Sequence, residues 1–330
     1  MNYQDTLLIS GHEVSNLLNI DECMMAVEKA FRLHAEGAVS PPKILGIHVY
    51  NGGFHIKAGV MNLGQNYFVA KTNSNFPNNM KDYGLPTIQG VLVVCDAENG
   101  RLLALMDSIE ITVIRTGAAT GVATNYLARR DAKIATICGC GNQGRISLKA
   151  ALKVRKLEKV YAYDIDHSQT LKFAKELTDT LQVSMTPIED LGMAVGRSDI
   201  CITCTPSKTP FLKKEYVKPG TFIAAVGADS EEKHELQTSL LGNSKLVVDL
   251  LEQCASIGEL HHGLEEGVVT RSDVHAELGE IIAGRKAGRT SGDEVIIFDS
   301  TGTALQDVAA AAIVYERAVQ NRVGMKLNLQ

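Results

Sequence analysis

No stretch of this sequence approaches the run of apolar residues needed to span a bilayer. The opening residues, MNYQDTLLIS, lack the basic start and long apolar run of a secretory signal, so a cytoplasmic protein is expected. Basic residues are not in excess. The formal net charge of −5 speaks against non-specific nucleic-acid binding, although a local pocket can be positive on a negative protein. A disulfide framework is not indicated: Cys23, Cys95, Cys138, Cys140, Cys201, Cys204 and Cys254 are odd in number and scattered. Cys201 and Cys204 have CxxC spacing, but they fall in an apolar run that reads as a strand. Residues three apart on a strand point to opposite faces, so the cysteines are read as buried structural residues. His261-His262 invites a metal reading, yet adjacent side chains diverge on most backbones, and no metal set is assigned. Fixed-period repeats and low-complexity segments are missing too.

What is present is the balance of a globular protein, 45% apolar and 22% charged over 330 residues. That length suggests two domains. Ser10-Gly11-His12-Glu13 has the form of a capping box. A helix after Asp21 places Cys23, Met24, Val27, Ala30, Phe31 and His34 on one face, with Gly37 as its stop. Met24 and His34 are read as packing residues. Residues 43 to 107 break into short apolar runs: 43–50, 54–60, 67–73, 88–95 and 102–106. Gly and Asn clusters separate them, the pattern of an antiparallel sheet, and Asn99-Gly100 suggests a hairpin. From Ile109 to Leu127 the pattern is helical and rich in small residues, which suits close packing at a joint between domains. From Lys133 apolar runs at 134–138, 159–163, 199–204, 221–226 and 245–249 alternate with helical segments, the signature of a parallel sheet covered on both faces. A strand at Glu294–Asp299, a turn at Ser300-Thr301-Gly302-Thr303 and a long alanine-rich helix from Ala304 to Val323 close the chain.

The fold class is therefore α/β: a Rossmann dinucleotide-binding domain plus a discontinuous α+β domain for substrate binding and dimerisation. The tail is expected to return to the N-terminal part. The expected boundaries are 1–118 with 300–330 for the discontinuous domain, and 119–299 for the Rossmann domain.

One motif carries chemistry. Ile134 to Cys138 reads as a strand, Gly139-Cys140-Gly141-Asn142-Gln143-Gly144 follows at once, and Gln143 to Val154 can form a helix. Gly139 permits the tight turn, Gly141 lets backbone approach a pyrophosphate, and Gly144 lets helix and strand pack closely. The helix N-terminus offers free N–H groups to the phosphates. Asp164 ends the second strand, 20 residues after Gly144, where a carboxylate receives the adenosine ribose hydroxyls and repels a 2′-phosphate. That favours NAD over NADP, and Asp166 can share the role. Thr205-Pro206-Ser207 and Gly227-Ala228-Asp229 follow later strands at their carboxyl ends, where ligands of such sheets bind.

These residues, with Pro41-Pro42-Lys43, 68–73 (FVAKTN), 111–119 (ITVIRTGAA), 225–229 (AVGAD), Lys233-His234-Glu235-Leu236 and 298–302 (FDSTG), resemble the ornithine cyclodeaminase/mu-crystallin family over nearly the whole chain. The resemblance implies hydride transfer at the α-carbon of an amino or imino acid, and dimerisation through the N-terminal sheet domain. It places Lys71 and Arg115 near the substrate α-carboxylate, Thr87 near the cofactor and Asp229 beside the reacting nitrogen. Asn142, Gln143, Asp164, Thr205, Val226, Gly227, Lys233 and Ser300 match cofactor contacts, and Arg115 and Thr116 are assigned there too. Thr301 is assigned to the substrate. Lys43 stands where the cyclodeaminases have arginine, a departure that speaks against ornithine specificity and resembles the alanine dehydrogenase branch. Lys57 is a further cation for the carboxylate, although its context alone leaves it reading as a surface charge. Lys71 or Asp229 would handle the proton.

The expected function is an NAD(H)-dependent dehydrogenase or imine reductase. The alternatives are an ornithine cyclodeaminase that recycles NAD, giving proline and ammonia, and a non-catalytic, crystallin-like nucleotide-binding protein. The expected partners are a small amino or imino acid and a second copy of the chain.

Overall fold

The computed structural model describes residues 5–329, which divide into two compact units. The first runs to Arg115 and resumes at Thr303; the second is Thr116–Gly302.

The first unit begins with β1 (Thr6–Ile9), α1 (Gly11–Leu17) and α2 (Ile20–Ala35). The capping box is formed: Ser10 Oγ accepts from the Glu13 N–H and Glu13 accepts from the Ser10 N–H at 2.8 Å. Asn19 caps α2, whose buried stripe is Cys23, Val27, Ala30 and Phe31; Met24 and His34 lie half-buried beside it. Then come β2 (Lys43–Val49), β3 (Gly52–Asn62), β4 (Asn66–Asn75), α3 (Asn79–Tyr83), β5 (Ile88–Asp96) and β6 (Leu102–Asp107). Strands β2 to β6 form an antiparallel meander, as their alternation predicts. The loop joining β5 to β6 is longer than a two-residue turn, and Gly100 takes a left-handed φ of 77°. Helix α4 (Ser108–Leu127) follows, and the boundary between the units falls within it.

The second unit continues with β7 (Ile134–Cys138), α5 (Asn142–Val154), β8 (Lys159–Tyr163), α6 (His167–Leu181), β9 (Ser184–Pro187), α7 (Leu191–Arg197), β10 (Ile200–Thr203) and β11 (Phe222–Ala225). It ends with α8 (Thr238–Leu241), β12 (Lys245–Val248), α9 (Leu251–Ile257), α10 (Glu259–Glu265), β13 (Val274–Glu277), α11 (Leu278–Ile282) and β14 (Ile296–Asp299). All eight strands are parallel, in the order β13-β12-β14-β11-β10-β7-β8-β9. The order reverses between β7 and β10. This is the switch point of a Rossmann sheet, with its ligand crevice at the carboxyl ends of those strands. The central strands are apolar and buried on both faces, as a covered parallel sheet requires. At the start of this unit the small residues of α4 allow close packing: a Cβ on Gly117 would lie 2.6 Å from the Ile146 side chain of α5.

The chain then returns to the first unit as α12 (Ala304–Asn321) and β15 (Met325–Leu327). Helix α12 lies on β3, β4 and α2, and its alanines let it sit close: Gly59 of β3 faces Ala304 and Val308. Strand β15 pairs with β1, and β1 pairs in parallel with β6. The first sheet is thus seven-stranded and mixed, the antiparallel meander expected over 43–107 being extended by β1 and β15. The strands missed, β1 and β15, have four and three residues, too short to show a period.

Candidate functional site

In β4 the buried positions are Tyr67, Val69 and Lys71, one face of a strand of period two. Lys71 thus occupies a core position, 3% exposed. Lys57 of β3 stands directly opposite it in register and is 5% exposed. The surface reading of Lys57 is corrected here, because pairing of β3 with β4 turns it to the face covered by α12. Cross-strand partners lie about 5 Å apart, and like charges there repel, so two buried lysines at one pair need anions.

One anion is Asp307, in the first turn of α12. Its Oδ1 accepts from Lys71 Nζ at 2.8 Å and from Arg115 Nε at 3.0 Å. Arg115 Nη1 donates to Gln306 Oε1 at 2.8 Å, and Lys71 also reaches Thr112 Oγ1 at 3.3 Å. Gln306 and Asp307 are fully buried, and Asp307 Oδ2 and Gln306 Nε2 lack a protein hydrogen-bond partner. Burial, then the charges of Arg115 and Lys57, pulls the Lys71 ammonium down to about 7 against the opposing effect of Asp307. Burial alone would raise the Asp307 carboxyl, yet Lys71 and Arg115 hold it below its usual value. Lys71 and Arg115 converge on one oxygen of Asp307, with Lys57 opposite Lys71 in register, and buried cationic donors of this kind are what another carboxylate needs in a low-dielectric setting.

Asp307 and Gln306 escaped sequence reading. The available signal was an acid on a stripe of buried small residues: Asp307 lies three residues after Ala304 and four before Ala311. Lys43 is exposed at the start of the edge strand β2, outside the buried cluster. Thr87 is exposed before β5, its carbonyl accepting from the Phe76 N–H at 2.8 Å.

In the second unit the three glycines of the turn differ in backbone conformation and in the space around them. Gly139 has φ 102°, and a Cβ there would meet Cys204 O at 2.8 Å. A Cβ on Gly144 would lie 2.1 Å from Gly139 O. A Cβ on Gly141 would meet nothing within 4 Å, so the turn opens onto free space there. Gly141 caps α5 without a side-chain hydrogen bond, and Gln143 Oε1 is buried without a protein partner. An uncapped helix start facing open space fits a dinucleotide pyrophosphate. Asn142 begins this helix.

Asp164 is half-buried. Its Oδ2 accepts from the Cys140 N–H at 2.8 Å and its Oδ1 from the Asp166 N–H at 3.0 Å, so it also braces the glycine turn. Asp166 caps α6. At the other strand ends, Val226 and Ala228 are buried, while Thr205 and Gly227 both donate to Glu235. Asp229 is ion-paired with Lys233 at 2.5 Å; burial opposes the Lys233 charge, but Asp229 raises its pKa. Ser300 and Thr301 are buried, and Asp249 accepts from both hydroxyls at 3.2 and 3.0 Å. Gln253 adds a 2.7 Å bond to Thr301. Asp249, Gln253 and Glu235 were not singled out from sequence, since each acts through partners distant along the chain. Thr116 is buried, its carbonyl accepting from Thr120.

Comparison with known proteins follows the same lines. An alanine dehydrogenase of Archaeoglobus fulgidus is 41% identical over 325 residues, covering 98% of each chain. A solved structure described as an archaeal alanine dehydrogenase dimer with bound NAD superposes with a TM-score of 0.94 at 39% identity, covering 99% of this chain and 100% of that one. The Delta(1)-pyrroline-2-carboxylate reductase of Thermococcus litoralis, solved with NADH and L-proline, gives a TM-score of 0.93 at 35% identity, covering 98% and 100%. The ornithine cyclodeaminase/mu-crystallin family model matches residues 4–322, and the chain belongs to that family.

Proposed function

We propose that this chain is an NAD(H)-dependent oxidoreductase acting at the α-carbon of an α-amino or α-imino acid, of the alanine dehydrogenase or ketimine reductase type. The observation that carries the reading is the buried cationic cluster in which Lys71 and Arg115 share Asp307 and Lys57 stands opposite Lys71. Relatives named alanine dehydrogenase, Delta(1)-pyrroline-2-carboxylate reductase and iminosuccinate reductase support the reaction class.

The cations bind the substrate carboxylate and fix the α-carbon, which converts binding into orientation. Lys71, with its pKa near the operating range, donates a proton at the α-nitrogen during reduction and accepts it during oxidation. Asp229, held by Lys233, is the other candidate for that proton. Gly139 to Gly144, Asp164 and the strand-end turns hold the dinucleotide, which supplies hydride chemistry when bound. Asp164 disfavours a 2′-phosphate, so NAD is the proposed form. One substrate panel tests the whole: pyruvate with ammonia, ornithine, lysine and cyclic ketimine acids, each with NADH and NADPH, with products followed separately. Strong preference for NADPH overturns the reading of Asp164. Conversion of ornithine to proline without net NADH change selects the cyclodeaminase route.

The glycine turn gives a sharper test. Gly141→Ala is expected to leave the melting temperature unchanged, because its Cβ enters open space, while NADH affinity falls about 10-fold or more from lost backbone approach. Gly144→Ala is expected to cost about 1–3 kcal/mol of stability through overpacking against Gly139 O. A Gly141→Ala protein with normal NADH affinity removes the pyrophosphate from this turn.

The functional unit is a homodimer in this proposal. Strand β2 is an edge strand, exposed along its length, with Ile44, Leu45, Ile47 and Val49 apolar. Such an edge is an association hazard unless another chain covers it, and the archaeal relative is described as a dimer. Light scattering is expected to give twice the chain mass, and Leu45→Lys with Ile47→Lys to give a monomer. A dimer undisturbed by both lysines places the interface elsewhere.

A further inference from the structure

Glu235 lies in no strand or helix, yet it is fully buried in the second unit. Burying a carboxylate is costly unless its lone pairs are satisfied. All four of its hydrogen bonds come from the carboxyl ends of two adjacent strands. Oε1 accepts from the Thr205 N–H at 2.6 Å and the Thr205 hydroxyl at 2.7 Å. Oε2 accepts from the Gly227 N–H at 3.0 Å and the Thr203 hydroxyl at 2.7 Å. One carboxylate thus joins the turn after β10 to the turn after β11.

The residue itself is anchored. Its N–H and that of Leu236 donate to the buried Glu259 at 2.7 and 3.1 Å, and its carbonyl accepts from Phe211 and Leu212 at 2.9 Å each. The fit around it is tight: a Cβ on Gly227 would lie 2.4 Å from Glu235 Cδ and 2.5 Å from Thr205 O. Thr205 and Gly227 therefore have little freedom while Glu235 is in place.

We propose that Glu235 is a positioning residue for the dinucleotide, a latch that holds the Thr205 and Gly227 turns in their nucleotide-accepting arrangement. The inference rests on the reading that these turns border the dinucleotide. No neutral side chain of this length replaces it. In glutamine one of the two acceptors becomes an NH₂ group, so it must face either the Thr205 or the Gly227 backbone N–H, and a backbone donor cannot reverse its role.

The same sheet carries a second strand-joining carboxylate at the amino ends of its strands. Asp199 precedes β10 at its amino end, and its Oδ2 accepts from the Lys133 and Ile134 N–H groups at 2.9 and 3.1 Å. It ties β7 to β10 as Glu235 ties β10 to β11, but away from the crevice. This separates a latch for the ligand from a general strut.

NADH affinity by fluorescence titration, steady-state constants and melting temperature are to be measured for both sites. Glu235→Gln is expected to raise the NADH Kd, and the KM for the dinucleotide, about 10-fold or more, with kcat changed less than about 3-fold. Asp199→Asn is expected to lower the melting temperature while its Kd stays at the wild-type value. Glu235→Asp keeps the charge but is one methylene short of spanning both turns. It serves if Glu235→Gln does not fold, and is expected to raise Kd about 3-fold or more. A wild-type Kd in Glu235→Gln or in Glu235→Asp overturns the latch. So does an equal loss of affinity in Asp199→Asn, which makes the effect one of general stability. Wild-type protein that binds no NADH overturns the proposed function as well, so the two failures are distinguishable.

Discussion

Lys71→Met is expected to lower kcat/KM by about 10²–10⁴-fold, the usual cost of losing a positioned proton-transfer group, without lowering stability. The two effects separate because the ammonium sits in a core position beside two other cations. Methionine fills similar space without charge, and Asp307 keeps its 3.0 Å bond from Arg115. Exchanging buried charge for a packed apolar side chain is often neutral or stabilising, so no loss of stability beyond about 1 kcal/mol is expected. The pH dependence follows from the same group, whose pKa falls from 10.5 to about 7. Reduction of an imine needs the protonated lysine, so its kcat/KM falls as pH rises through about 7; oxidation of the amino acid needs the neutral amine and rises there. Between these two values the unfolded chain binds more protons than the folded one. Stability therefore rises with pH across that window and is lost as pH falls through about 7. In Lys71→Met both the kinetic limb and this slope are expected to vanish. A limb that persists unchanged transfers the proton role to Asp229.

How much of this was legible depends on the distance over which each residue acts. The glycine turn was readable because each glycine answers a local demand: a left-handed φ at Gly139, open space at Gly141, contact with Gly139 O at Gly144. Lys71 was readable in outline, since it continues the Tyr67, Val69 alternation into a position where charge is unexpected. Lys57 sits in a similar strand, but only the register that sets it against Lys71 buries it, and register is not written within one strand. Asp307 binds a lysine 236 positions away, and the alanine-rich segment around it advertised helix rather than charge. Strands β1 and β15 are short, and their pairing joins Thr6 to Leu327 across almost the whole chain. Glu235 shows the same limit: nothing near Lys233-His234-Glu235-Leu236 says that its carboxylate closes on Thr203, Thr205 and Gly227.

Asp307→Asn is the most destabilising single change expected in the first unit. It keeps the shape of the side chain but removes the carboxylate that both Lys71 and Arg115 contact. Breaking a buried ion pair from one side typically costs about 3–5 kcal/mol because the partner charges stay buried. The urea midpoint is expected to fall accordingly, with the m-value unchanged if the fold is preserved. The remedy identifies the cause. If the cost is uncompensated positive charge, then adding Lys71→Met to Asp307→Asn removes one of the stranded cations, and the double variant is more stable than Asp307→Asn alone. The cycle then shows a coupling energy well outside additivity, as contacting residues do. A carboxylate ligand is expected to stabilise Asp307→Asn more than the parent protein, since it supplies the missing anion and binds the folded state. Strict additivity, with no rescue by Lys71→Met or by carboxylate, would mean that Asp307 acts through packing alone, and the charge-compensation account of this cluster fails with it.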